Sequence, residues 1–133
     1  MIRRIRRCKG GEAGTELIEA AVTLPIVFML FLVIVQFGWT VYAQQTAQEA
    51  ARHGVRMGVV AQANAGTQAR AQAQNFMANA GLGGSTVQVL APGGVVGTSL
   101  RLRVVYPVPN LLGWLGLPQM TVRGEAEGRG EGW

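Results

Sequence analysis

Residues Ala20–Val41 read AAVTLPIVFMLFLVIVQFGWTV, an apolar run without a single Asp, Glu, Lys or Arg. At 1.5 Å rise per residue a helix of this length covers roughly 30 Å, the thickness of one hydrocarbon core. The run is apolar all the way round. A chain of 133 residues has too little mass to wrap such a helix as a soluble core, so a membrane-spanning helix is predicted. Pro25 falls near its start, where one missing amide bond is tolerable and a bend is expected. What remains is a short amino-terminal segment and, after the span, room for one small domain.

That domain has unusual material to work with. The chain contains 19 Gly, and charged residues make up only 14% of it. A core built from Gly and Ala is thin, which predicts marginal stability and dependence on partners. The formal net charge of +5 is not spread evenly. Arg3, Arg4, Arg6, Arg7 and Lys9 crowd the first nine residues, with Glu12 the one acid before Thr15. This cluster is short, lacks interleaved aromatics and leads directly into the span, so nucleic acid is not the expected partner. Its position predicts a cytoplasmic amino terminus held near anionic headgroups of a lipid bilayer. Cys8 is the single cysteine, follows no apolar run that would mark a lipoprotein anchor, and cannot form an intrachain disulfide.

The junction between leader and span carries the most specific signal. It reads Gly14-Thr15-Glu16-Leu17-Ile18-Glu19, with the basic leader before it and the apolar helix after it. Gly14 has no side chain, so a protease could approach its backbone closely. Glu19 stands at the edge of the apolar run, where a carboxylate must stay near headgroups or find a cationic partner. A bland reading is also open: an interfacial acid near the amino end of a helix is favoured by the helix dipole. This stretch resembles the prepilin cleavage motif of type IV pilins and pseudopilins. Ala20-Ala21-Val22-Thr23-Leu24-Pro25 and the later Gln36-Phe37-Gly38-Trp39 narrow the resemblance to the TadE-like proteins of the tight-adherence (Flp) pilus system. Where that family often has an aromatic residue after the glutamate, this chain has Ala20.

The resemblance implies cleavage by a prepilin peptidase between Gly14 and Thr15. It further implies that Glu19, at the fifth mature position, pairs with the freed amine of Thr15 in a neighbouring subunit. Partners would be the peptidase, other pilins or pseudopilins and the inner-membrane assembly machinery. A competing reading of the same region is a secretory signal cut near Ala43, although the apolar run is long for one and flows into a helical pattern. Gln36 could bond a partner helix or be a buried or snorkelling amide. Trp39 and Tyr42 suit the outer aromatic belt.

Beyond the span, Ala43, Ala47, Ala51 and Val55 form one row at helical spacing and Ala50, Gly54, Met57 and Ala61 a second. Such a narrow face permits close helix packing, and a stalk is predicted with a break near Gly58 or residues 64–66. A second helix is predicted over 67–80, with Thr67 as N-cap, Ala69, Ala73, Phe76, Met77 and Ala80 on one face, and Gly81-Leu82-Gly83-Gly84 as the stop. Three strands follow. They are a weakly alternating one over 86–90, a clear one from Ser99 to Tyr106 with Arg101 and Arg103 facing solvent, and a last one with Met120, Val122, Gly124 and Ala126 inward. The apolar Asn110–Leu117 is either a helical turn packed on the sheet or a wedge on the outer membrane interface. The tail from Glu127 is expected to fray.

No paired carboxylates, metal-ligand spacing or activated nucleophile can be read from the soluble part, and His53 stands alone, so no catalysis and no cofactor are expected. The glycine cluster at 81–84 lacks a following lysine and the strand–loop–helix setting of a phosphate loop. The predicted architecture is α+β. A pilin-like long N-terminal transmembrane helix is followed by a second helix and a small, mostly antiparallel sheet. Its divisions are a leader over 1–14, span and stalk over 15–63, and an extracytoplasmic domain over 64–133. The chain is expected in a bacterial inner membrane as a single-pass protein with its domain in the periplasm, acting as a minor pilin or pseudopilin. The runner-up is a membrane-anchored periplasmic scaffold or binding module that never assembles with pilins.

Overall fold

The computed structural model describes residues 10–130, with side chains from Gly14 onward and the backbone alone at position 62. The basic leader cluster and Cys8 lie outside the described residues. The architecture is α+β and pilin-like: a long apolar amino-terminal helix, a second helix and a three-stranded antiparallel sheet. The first helix, α1 (Gly10–Val60), takes up 51 residues and continues through Pro25. Contacts divide the chain into two units after Val35.

In the first unit α1 is uncovered. From Gly14 to Val35 every side chain is exposed except Met29 and Leu32, which are half-buried. The window that qualifies the helix as a membrane span has none of its residues buried. Bare Leu, Ile, Val and Phe on all faces over this length make it a single-pass membrane anchor.

In the second unit the rest of α1 becomes part of a folded domain. The helix ends at Val60, and a 3-10 turn at Gln62–Asn64 reverses the chain, so the break expected near Gly58 or residues 64–66 falls between the two. The second helix, α2 (Ala65–Asn79), then starts two residues before the expected cap. Asn64 is the N-cap residue, and it makes no side-chain capping bond. Thr67 lies inside the first turn, where its hydroxyl donates to the Asn64 carbonyl at 2.9 Å rather than accepting an amide bond. The stop is as predicted: Gly81 has φ +76°, Leu82 N–H donates to Met77 O, and Gly81 N–H donates to Ala78 O. With Leu82 and Met77 both fully buried, this is a Schellman ending with its apolar contact.

The sheet is an antiparallel meander in the order β1-β2-β3, built from β1 (Thr86–Pro92), β2 (Ser99–Pro107) and β3 (Thr121–Arg129). β1 runs two residues past its expected end, absorbing a register shift between Val89 and Ala91. A terminal Pro92 is tolerated because β1 is an edge strand and that residue has no N–H to pair. β2 alternates as its sequence suggests, with Leu100, Leu102, Val104 and Tyr106 buried. Arg101 and Arg103 face out and pair with Glu127 and Glu125 across β3. β3 departs from expectation at both ends. Met120 precedes the strand and is half exposed, while Glu127–Arg129, expected to fray, pair with Arg101, Leu100 and Ser99. The second cross-strand partner that Arg101 gives Glu127, at 2.8 Å, helps to hold this end in register.

One layer is the sheet and the other is α2 with the outer half of α1. Their interface is made largely of absent side chains. A Cβ on Gly54 would lie 2.6 Å from the Ala69 carbonyl oxygen, and one on Gly58 would lie 2.6 Å from that of Ala65. Ala43, Ala47, Ala50, Ala51, Ala65, Ala69 and Ala73 are all buried in the same seam. β3 answers with Gly124, whose missing Cβ makes room for the backbone of Ala47 and Gln48. Backbones can approach this closely only where side chains are one carbon or none. The larger side chains of Met77, Leu82, Leu100, Leu102, Val104 and Val108 fill the space that remains.

Gly58→Val should therefore destabilise the domain by about 1–3 kcal/mol or more through overpacking. Gly38→Ala, where an added Cβ meets nothing within 4 Å, should be neutral or slightly stabilising through helix propensity. Thermal melts of the purified chain in detergent, followed by circular dichroism, separate the two.

Candidate functional site: the two halves of the long helix

Gly14, Thr15 and Glu19 all lie on α1 and all are exposed. Thr15 and Glu19 are four residues apart, so they share a face, with Val22 and Ile26 continuing the row. Glu19 has no ion-pair partner among the described residues. A Cβ at Gly14 would meet nothing within 4 Å, unlike those at Gly54, Gly58 and Gly124. The fold of this chain therefore does not require glycine at position 14. The Gly14–Thr15 bond is helical, within a turn and a half of the helix start. Gly10, Gly11 and Gly14 each weaken a helix by about 1 kcal/mol relative to Ala, so this end unwinds at low cost. Unwinding is what a protease that binds an extended backbone needs.

The outer half of α1 is tied down by amides. Gln36 is 9% exposed, and both ends of its side chain are used: Nε2 donates to Pro109 O at 3.2 Å, and Oε1 accepts from Leu111 N–H at 3.0 Å. Of the readings open to Gln36, the buried amide is the one realised, and its partner is this chain's own loop. Tyr42 Oη donates to Ala80 O at 3.1 Å, and its ring lies 6.0 Å from that of Trp39. Gln44 Nε2 donates to Arg123 O at 2.9 Å. Gln48 bonds both ways to Glu125, donating to its carbonyl at 2.7 Å and accepting its N–H at 3.2 Å. These glutamines cover backbone groups of the β3 edge that would otherwise be open to another strand. Thr40 and Thr46 satisfy their hydroxyls on carbonyls one turn back, at 2.8 and 2.9 Å.

Two consequences bear on function. First, Ala43, Ala47, Ala51 and Val55 of one stalk row and Ala50 and Gly54 of the other are buried against α2 and the sheet and are not open to a partner helix, while Met57 of the second row stays exposed. Second, Ala43 is fully buried in mid-helix. A cut there would remove Gln36 and Tyr42, which the folded unit uses. No group of three or more His, Cys, Asp or Glu side chains that could hold a metal occurs among the described residues. His53 packs its ring 5.6 Å from that of Phe76.

A membrane anchor of bare apolar side chains running into a small α+β domain is a pilin-like architecture. A family model described as TadE-like protein matches residues 14–56 of the 133, so this part of the chain is similar to that family. The match starts at Gly14 and ends two residues before Gly58, so it covers the bare anchor and the part of α1 packed into the domain. No curated protein and no solved structure matches the chain.

Replacing Gln36 with Leu keeps the apolar character of the helix but strips two bonds from the loop after β2. The cost should be about 1–3 kcal/mol, from loop groups left unsatisfied. Hydrogen exchange at the Leu111 amide should accelerate while that of Val104 in β2 stays slow.

Proposed function

We propose that the chain is a minor pilin or pseudopilin of a tight-adherence (Flp-type) pilus, made as a precursor with its amino terminus in the cytoplasm. A prepilin peptidase removes the leader between Gly14 and Thr15. The observation that carries this reading is the open space around Gly14 at the first residue of the family match. Among the described residues no contact calls for a glycine there, which is in keeping with an enzyme that must approach the backbone. After cleavage the bare helix from Thr15 to Val35 would assemble laterally with related subunits in the bacterial inner membrane, the domain lying in the periplasm.

Glu19 is assigned the assembly role. A carboxylate on an otherwise apolar helix is costly in a low-dielectric surrounding unless a cation meets it. The amine that cleavage creates at Thr15 of a neighbouring subunit is such a cation, supplied only to processed chains. A charged contact of this kind makes assembly conditional on processing. A tethered scaffold that never assembles would have no use for it.

Amino-terminal analysis in cells with and without the peptidase checks the first step. The expected result is a new terminus at Thr15 that depends on the peptidase; an uncut chain, or one cut near Ala43, overturns the reading. Gly14→Ala should abolish processing while leaving the melting temperature of the domain unchanged. Glu19→Lys should insert in the membrane and be processed, yet lose most of its co-purification with partner pilins. Undiminished co-purification would favour the tethered module.

A further inference from the structure

The loop joining β2 to β3 holds the largest exposed apolar cluster in the second unit. Leu111, Trp114, Leu115, Leu117 and Met120 are all about half exposed or more, with Trp114 at 68%. From Pro107 to Val122 the chain has no charged residue. Nor has α1 between Gln36 and Gln48, the helix segment to which the loop is bonded. In water such a cluster is a liability.

We infer that this loop is a second membrane contact, seated in the interfacial region of the lipid leaflet nearest the domain. The depth follows from Gln36. That residue lies within the apolar run that ends at Val41, so its loop partners Pro109 and Leu111 are held about 7 Å short of that end, at 1.5 Å per residue. Phe37, Trp39 and Val41 on the same helix segment are themselves exposed, and the Trp39–Tyr42 pair marks the aromatic belt. A lipid surface that embeds those side chains reaches the loop as well. The occupant is thus set by continuity with the anchor and does not depend on the pilus reading.

The backbone of the loop is prepared for such a place. Irregular chain in a low-dielectric region is tolerated only when its polar groups are satisfied from within. Asn110 does much of this: Nδ2 donates to Leu117 O at 2.7 Å, and Oδ1 accepts from Leu112 N–H at 3.0 Å. Gln36 serves Pro109 O and Leu111 N–H. The 3-10 turn Gly113–Leu115 closes with Leu115 N–H on Leu112 O and Gly116 N–H on Gly113 O, both at 3.0 Å, Gly116 taking φ +78°. Val108 N–H donates to Met120 O at 2.9 Å across the loop base, and Pro107, Pro109 and Pro118 bring no N–H at all. Leu112 is buried beneath as a plug, leaving Leu111, Trp114, Leu115 and Leu117 outward. Apolar side chains outside and bonded backbone inside are what an interfacial wedge requires.

The test uses the full chain with Trp39→Phe and Trp133→Phe, so that Trp114 is the sole indole. It is reconstituted in vesicles of phosphatidylethanolamine and phosphatidylglycerol, with or without phosphatidylcholine brominated high on its acyl chains. Trp114 emission should be blue-shifted, lose most of its intensity to the brominated lipid at every protein-to-lipid ratio, and resist aqueous iodide. Asn110→Ala, which frees the frame but leaves the apolar side chains, should weaken the lipid quenching. Ready quenching by iodide overturns the inference. So does an indole protected from both quenchers only at high protein density, which would mean that a second protein copy covers the loop.

Discussion

The domain exists because three backbones come closer together than ordinary side chains allow. Gly54 and Gly58 bring α1 against the backbone of α2, and Gly124 brings β3 against the backbone of α1 at Ala47. Every other part of the domain rests on that seam. Alanine rows can be buried there completely, and the few large residues need to fill only the space left over. Thin composition is therefore compensated by proximity. Dispersion contacts between closely spaced backbones replace the bulk that a larger core would supply.

This seam also explains how one helix serves two purposes. A small-residue face is the usual means by which helices associate in a membrane, but here it is engaged inside the chain. The lateral assembly proposed for this chain is thereby left to the amino-terminal half of α1, whose large aliphatic and aromatic side chains are bare. The division of α1 separates the part that folds into the domain from the part that stays bare. The outer half holds the domain together through glycine, alanine and glutamine. The amino-terminal half keeps its apolar surface bare for lipid. Gln36 stands at the boundary, fastening the loop of Trp114 to the helix where the two halves meet.

Much of this was legible before any coordinates. Length and apolarity on every face identified the anchor at Ala20–Val41. Period-2 alternation located β2, and Gly81 marked the end of α2 through the left-handed conformation it alone adopts cheaply. The misjudged features share a physical origin in tertiary packing. Thr67 reads as a cap, but the chain reverses through a 3-10 turn that local propensity does not reveal. Glu127–Arg129 read as a loose tail until β2 and Arg101 supply their partners. The link from Gln36 to Pro109 and Leu111 spans more than seventy residues and leaves no local trace. A usable signal did exist in β3, where the inward positions 122, 124, 126 and 128 are Val, Gly, Ala and Gly. Small residues on the inward side of a strand announce a close neighbour, and the small-residue face of α1 was its match.

The central claim is that assembly contacts come from the bare half of α1 and not from its packed half. Photo-crosslinking in intact cells tests this directly, with a photoreactive residue placed in turn at Leu24, Phe28 and Phe31, and at Gln45, Arg52 and Arg56. All six positions are exposed, so none of the replacements disturbs the seam. The account predicts subunit-sized adducts from the first three positions and few from the last three. Strong adducts from Gln45, Arg52 and Arg56 with none from Leu24, Phe28 or Phe31 would contradict it.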